Sequence, residues 1–425
     1  MAAVARAPTR VEPSERTDAC RAYHTIRRQS ERLTEPLSTE DQLLQSMPDA
    51  SPTKWHLAHT AWFFEEFVLG AYAPGYARFD ADFGFLFNSY YEAVGPRHPR
   101  PERGMLSRPS LDTVHAYRRH VDQAMVSLIM TTGADCWTKA RPLIELGLHH
   151  EQQHQELILM DIKHALSRNP LKPAYAPPTP RHRAEHAQTW HAIPGGLCLV
   201  GAKSDGFAFD NERPLHKTWI EPFRLASRPV TNAEYRAFID DGGYKHAAFW
   251  LADAWRIVGE RDWRAPLYWS DDFSVHFTLA GEQPIDPAGP VCHLSFYEAD
   301  AYARWAGKRL PREEEWEVAV SSADAQANFV SAGALHPQPA PAGALVQMFG
   351  DVWEWTASPY VGYPGFRSAS GAVGEYNGKF MCGQFVLRGG SAVTPEGHVR
   401  PTYRNFFPPD ARWAFSGVRL ADDNA

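Results

Sequence analysis

Three histidines carry the spacing of metal ligands. His150 and His154 stand four apart in His149-His150-Glu151-Gln152-Gln153-His154-Gln155-Glu156. On a helix this puts both rings on one face, with Cβ atoms roughly 5–6 Å apart, close enough to share one ion. His59 sits on a second apolar stripe, with Trp55, Trp62 and Phe63 at helical spacing. A single histidine on such a stripe is more often a hydrogen-bonded core residue than a ligand. A facing histidine pair makes it a third imidazole. His56 and His149 fall off the two stripes and are expected behind the ligands or at the surface. Read literally, His150-Glu151-x-x-His154 is also the zinc-hydrolase pattern, with Glu151 as general base. One extension of that pattern is absent, because Gln155-Glu156-Leu157 follows. Spacing alone leaves both chemistries open.

Other residue types could serve a metal centre. Tyr90 and Tyr91 follow an aromatic stretch in Phe87-Asn88-Ser89-Tyr90-Tyr91-Glu92. A phenol near a metal can supply a proton, although adjacent tyrosines also simply pack. The loop Gly95-Pro96-Arg97-His98-Pro99-Arg100-Pro101-Glu102-Arg103 offers guanidinium forks that match carboxylates; otherwise it is a solvated basic loop. Arg97 and Arg100, nearest the tyrosines, are the chosen pair. Near the C-terminus Arg404-Asn405-Phe406-Phe407-Pro408-Pro409-Asp410, with Trp413 and Phe415, is aromatic and set among turns. Aromatic faces hold quaternary ammonium groups, and they also build core strands.

These residues need elements to position them. The chain has 425 residues, too long for one compact core, so two domains are expected. The first part reads as four helices. They cover about Asp18–Leu33, a second from Ser51 (N-cap) and Pro52 through Phe67, a third from near Ser110 through Leu128, and a fourth over about Pro142–Leu166. The later part turns to short strands and turns rich in Gly, Pro and Trp. Residues 1–17 are expected to be a disordered tail, 18–168 a bundle carrying the metal ligands, 169–187 a Pro-rich linker and 188–425 a second domain. Bundle cores often host metals.

Composition excludes several classes. The formal net charge is −7, which argues against nucleic-acid and anionic-membrane partners. Five widely spaced cysteines without a CxxC argue against a disulfide framework or a structural zinc site and fit a reducing cytosol. The first sixteen residues lack an apolar signal core, and no apolar run is long enough to span a bilayer. A cytoplasmic location is expected.

The second half supplies the discriminating pattern. In order it reads Ile193-Pro194-Gly195-Gly196, Asp210-Asn211-Glu212, Pro229-Val230-Thr231-Asn232, Trp305-Ala306-Gly307-Lys308-Arg309-Leu310-Pro311, Gly350-Asp351-Val352-Trp353-Glu354-Trp355-Thr356, Leu387-Arg388-Gly389-Gly390-Ser391 and Ser416-Gly417-Val418-Arg419-Leu420. The series resembles the formylglycine-generating-enzyme/sulfatase-modifying domain, and the resemblance implies a compact α+β domain of C-type-lectin-like kind. That family's C-terminal cysteine pair is missing, so formylglycine generation is not expected. The first half, with Trp55-His56-Leu57-Ala58-His59-Thr60 and the His150/His154 helix, resembles a DinB-like four-helix bundle. The fusion of the two resembles the ergothioneine-biosynthesis sulfoxide synthases.

That resemblance implies an iron(II) site at His59, His150 and His154. It implies a reaction joining hercynine (Nα-trimethylhistidine) to cysteine or γ-glutamylcysteine, with O2 as oxidant and a sulfoxide as product. It implies Asn405, Phe406 and Phe407 as hercynine contacts, at a site expected between the domains. Gln153, one residue before His154 and so within a turn of the metal, is expected to hydrogen-bond the hercynine imidazole; otherwise it is a plain helix-surface glutamine. Family members carry a catalytic tyrosine in the C-terminal domain or, in some branches, beside the bundle. With no C-terminal candidate evident, Tyr90 and Tyr91 are expected at the iron. Three neutral imidazoles leave open positions on an octahedral ion, as O2 activation requires. The competing readings are a zinc hydrolase and a lectin-like module that only binds. An oligomer is compatible with all three.

Overall fold

The computed structural model describes residues 13–179, 186–323 and 327–423. It divides into two compact units, Met1–Ala165 and Leu166–Ala425.

The first unit is built on four long helices: α1 (Pro13–Arg32), α2 (Thr53–Phe64), α3 (Leu111–Thr131) and α4 (Ala134–Arg168). Two of them start earlier than the sequence suggests, and one contact explains both. Trp137 is buried in the first turns of α4. The Arg16 guanidinium lies 4.9 Å from its ring centroid, and its indole N–H reaches Glu15. Arg16 also donates to the carbonyls of Ile129 and Thr132 at the end of α3, satisfying acceptors that a helix C-terminus leaves open. Packing therefore draws 13–17 into α1, where a disordered tail was expected. It also carries α4 through Pro142, which the sequence reading takes as a start. Residues 1–12 lie outside the described residues.

All twelve residues of α2 are buried. Pro52, not Ser51, occupies the N-cap position, with extended backbone. Ser51 is engaged otherwise: its N–H donates to Asp161 and its hydroxyl accepts from Arg103. A π-helical turn, Glu65–Leu69, continues α2; such turns often mark functional segments. At α3 the expected cap is found, with Ser110 accepting from the N–H of Thr113. Helix α4 meets α2 at Gly147, where an added Cβ would lie 2.5 Å from the Phe64 ring and 3.1 Å from that of Phe63. Glycine is what lets these helices approach, and the approach brings their histidines together.

The second unit mixes short helices with small sheets. A three-stranded sheet joins Trp190–Ile193, Phe223–Ala226 and Ala421–Asp422, tying the start of the unit to its end. A four-stranded sheet runs Ser416–Gly417, Trp353–Pro359, Phe385–Arg388, Asn405–Phe407. The signature motifs meet in the core between them. Glu354 and Arg419 are fully buried and paired at 2.7 Å, and Trp316 donates to Glu354 at 2.7 Å. Arg419 also donates to the carbonyls of Ala226 and Val346. A buried ion pair so completely bonded holds its segments in one arrangement, which is a structural use of those motifs. Among the described residues no disulfide joins any of the five cysteines. Among the described residues no helix is long and apolar enough to cross a membrane.

Candidate metal centre

His59, His150 and His154 are all buried, and one ring nitrogen from each lies within 4.8 Å of the others. Among the described residues this is the one such group of three or more histidine, cysteine or acidic side chains. Aromatic rings fix the imidazoles in place. His59 lies between Trp55 (centroids 4.6 Å apart, 13° between planes) and Trp62 (5.3 Å, 18°). Phe63 stacks on His150 at 4.5 Å. Rings packed this way lose little further freedom on binding an ion.

Hydrogen bonds decide which nitrogens face the cluster. His59 Nδ1 lies 2.6 Å from the Phe87 carbonyl oxygen, which can only accept. Nδ1 therefore carries the proton and Nε2 the lone pair. That Nε2 lies 3.1 Å from Nε2 of His150. Two nitrogens bound to one ion at right angles, each about 2.1 Å away, would stand about 3 Å apart. The His59–His150 pair thus has the spacing of two ligands on one ion, with a His154 nitrogen within 4.8 Å of both. Burial holds His59, His56 and His154 below the usual histidine pKa, with the neighbouring imidazoles adding to this for His59 and His154. Burial takes His150 to about 3. All are neutral donors at pH 7, as ligation requires.

Glu151, the general base of the hydrolase reading, is otherwise engaged. It has no exposed surface, and its carboxylate accepts from Ser30 (2.6 Å), Arg27 (2.9 Å) and Arg118 (3.1 Å). Burial alone would raise its pKa; the two guanidiniums and Ser30 hold it down at about 2. A carboxylate so satisfied is a poor proton acceptor near neutrality. The motif's glutamate is an anchor to α1 and α3, and the zinc-hydrolase reading loses its base.

The remaining sequence candidates fall in several places. Tyr91 is buried and packs on Trp62 and Phe67, at 5.6 and 5.0 Å between centroids. Tyr90 stacks on Tyr91 at 4.6 Å, with the two hydroxyls 3.5 Å apart. Trp62 is thus the ring shared by Tyr91 and His59. Arg97 is exposed and paired with Glu92. Arg100 is exposed and donates to the carbonyl of Asp49. Gln153 is half-buried on α4, one residue before His154. In the second unit Asn405, Phe406 and Phe407 are half-buried and form one strand. Phe406 stacks on Tyr360 at 4.0 Å, and Phe407 meets Trp413 edge-on at 5.6 Å.

Two residues matter more than sequence reasoning suggests. Arg103 is 4 % exposed, with its guanidinium 3.4 Å from the Trp55 ring centroid, on the ring that stacks on His59. It donates to Ser51, but its Nε has no hydrogen-bond partner among the described residues. Burial, with Arg100 and Arg97 nearby, depresses its pKa, and the Asp161 carboxylate offsets this only in part. A buried cation held against such a penalty favours an anion beside it. The available signal was position: Arg103 closes the basic loop where the chain turns apolar again. The other is His56, whose ring lies against His154, with centroids 5.1 Å apart.

Comparison with known proteins agrees with this arrangement. Residues 22–158 match the DinB superfamily model, and residues 176–344 and 338–424 match the sulfatase-modifying factor enzyme 1-like domain. The hercynine oxygenase of Mycolicibacterium smegmatis is 35% identical over 77% of this chain and 87% of its own. That of Mycolicibacterium thermoresistibile is 33% identical over 88% of each chain. The Mycobacterium tuberculosis hercynine oxygenase is 32% identical over 88% of this chain and 92% of its own. A metal cofactor follows from the buried histidine cluster taken together with these relatives. With both domain models matched and this identity over most of its length, the chain belongs to the hercynine oxygenase family of enzymes.

Proposed function

We propose that the chain is a cytoplasmic iron(II)-dependent sulfoxide synthase that joins hercynine to cysteine or γ-glutamylcysteine in ergothioneine biosynthesis. The observation that carries this reading is the buried three-histidine cluster, with no carboxylate or thiolate among its donors. Bound iron(II) supplies Lewis acidity toward the thiol and electrons toward O2, whereas zinc has no redox chemistry to offer. The reaction balances as thiol plus hercynine plus O2 giving sulfoxide plus water. An S–H and an imidazole C–H bond break, a C–S bond forms, one oxygen atom goes to sulfur and the other leaves as water.

Each candidate residue has a role in this reading. His59, His150 and His154 hold the ion. The aromatic walls Trp55, Trp62 and Phe63 exclude water, which strengthens every polar interaction inside. Tyr90 and Tyr91 deliver a proton from a phenol hydroxyl to the reacting oxygen. Arg97 and Arg100 clamp the carboxylates of the thiol substrate, and buried Arg103 balances its negative charge. Phe406 and Phe407 face the quaternary ammonium of hercynine, while Asn405 and Gln153 hydrogen-bond its polar atoms. The test is product analysis with each thiol, under air, after loading with iron(II) or with zinc. Turnover that needs zinc, or proceeds equally without O2, contradicts the reading.

A further inference from the structure

We propose that His56 and Asp161 are positioning residues of the metal centre, forming a carboxylate–imidazole–imidazole relay that fixes the tautomer of His154 and aims its Nε2 lone pair at the ion. The inference rests on His154 being a ligand.

The relay is written into two helices. His56 precedes His59 by three residues, so both rings leave the same side of α2. Asp161 follows His150 by eleven residues, three full turns of α4 and about 20°. The stripe that carries His150 and His154 therefore also carries the carboxylate. All three relay members are buried: His56 is 2 %, Asp161 5 % and His154 9 % exposed.

The proton positions follow from one end. Asp161 Oδ2 lies 3.1 Å from His56 Nε2 and also accepts the N–H of Ser51 at 2.8 Å. A carboxylate only accepts, so His56 carries its proton on Nε2. The Nδ1 of that neutral ring is then an acceptor. It lies 2.8 Å from His154 Nδ1, which must donate. His154 is left with its proton on Nδ1 and its lone pair on Nε2. The opposite tautomer would set two lone pairs against each other at 2.8 Å and put a proton where the ion belongs.

The ligands are thereby held differently. His59 is fixed by a neutral backbone carbonyl, whereas His154 is fixed by a carboxylate acting through a second ring. Hydrogen bonds of this kind raise the basicity of a ligating imidazole, and their loss commonly weakens metal affinity by about 10–100-fold. The Ser51 N–H explains how the carboxylate is itself held, and why Ser51 is withdrawn from the helix cap.

Two measurements on the full-length chain test the relay. The first needs no substitution. In 15N-histidine-labelled protein, metal-free and zinc(II)-loaded, long-range 1H–15N correlations should show the proton on Nδ1 of His154 and on Nε2 of His56. A proton on Nε2 of metal-free His154 overturns the proposal. The second is cobalt(II) titration of wild type, His56→Gln, His56→Leu and Asp161→Asn, with melting curves of the metal-free forms. The glutamine amide oxygen can accept the same Nδ1–H, so His56→Gln should bind cobalt within a few-fold of wild type. His56→Leu should lose about 10–100-fold, with an altered cobalt spectrum. Equal affinity in all forms, or glutamine as weak as leucine, contradicts the relay while leaving the three-histidine site standing. Wild type that takes up no ion removes both.

Discussion

Nδ1 of His59 lies 2.6 Å from the carbonyl oxygen of Phe87, and this bond turns the ring's lone pair toward His150 and His154. Each of these three histidines is expected to be indispensable to the ion. Single alanine variants should lose iron and sulfoxide formation together while remaining folded, read by metal analysis alongside circular dichroism. One variant keeping stoichiometric iron and full turnover removes that residue from the ligand set.

Glu151 separates the metal-centre reading from the hydrolase one. Glu151→Gln leaves Arg27 and Arg118 with less compensation in the interior, and roughly 3–5 kcal/mol of stability should be lost. The effect has a pH signature. Because its folded pKa is depressed to about 2, the carboxylate's contribution is complete above its unfolded value near 4.5. It disappears as pH falls toward 2. Urea unfolding at pH 6 and pH 3.5 should show a larger drop for wild type than for the variant. A variant with wild-type stability but no activity would instead restore Glu151 as a catalytic base.

Gly147 governs the approach of α2 and α4. Gly147→Ala places a methyl group against the Phe64 and Phe63 rings. The expected overpacking penalty, about 1–3 kcal/mol, exceeds the gain of about 1 kcal/mol in helix propensity. The melting temperature should fall, and iron affinity should fall with it as the helices separate. A rise in melting temperature with unchanged affinity shows that the contact is not tight.

The tyrosine assignment predicts a kinetic effect with little structural change. The Tyr90→Phe, Tyr91→Phe double variant keeps the rings and loses the hydroxyls. Sulfoxide formation should fall by about 10²–10⁴, with iron content retained. Unchanged turnover places the proton source elsewhere.

Arg103 and Arg97 should differ sharply. Arg103→Met removes a buried cation beside the Trp55–His59 stack, and the KM for the thiol should rise about tenfold or more, equivalent to about 1.4 kcal/mol. Arg97→Ala removes one arm of a solvent-screened clamp, already shared with Glu92, and should raise KM by only a few-fold. The reverse order moves the anion site outward along the loop.

Some of this was legible in the sequence for a physical reason. The histidine stripes follow from helical periodicity, which burial preserves. The Ser110 cap is a local signal too, and the order of motifs in the second half identified its fold class. What sequence could not show depends on long-range contacts. Pro142 reads as a helix start until Trp137, packed with Glu15 and Arg16, extends the helix past it. Ser51 reads as a cap until Asp161 takes its N–H. Glu151 reads as a base because the motif records spacing and not the arginines that approach from two other helices. Arg103 lay in a loop of three arginines whose burial differs only in the folded chain, and His56 reads as off the stripe although it leaves the same side of α2 as His59, a helix buried on every face.

The most direct measurement is liquid chromatography with mass detection on iron(II)-loaded full-length protein given hercynine, cysteine or γ-glutamylcysteine, and 18O2. A hercynine–thiol sulfoxide carrying one 18O, formed with iron and not with zinc, is the predicted result. A product without 18O, or turnover supported by zinc alone, would contradict an iron-dependent, O2-dependent carbon–sulfur bond formation.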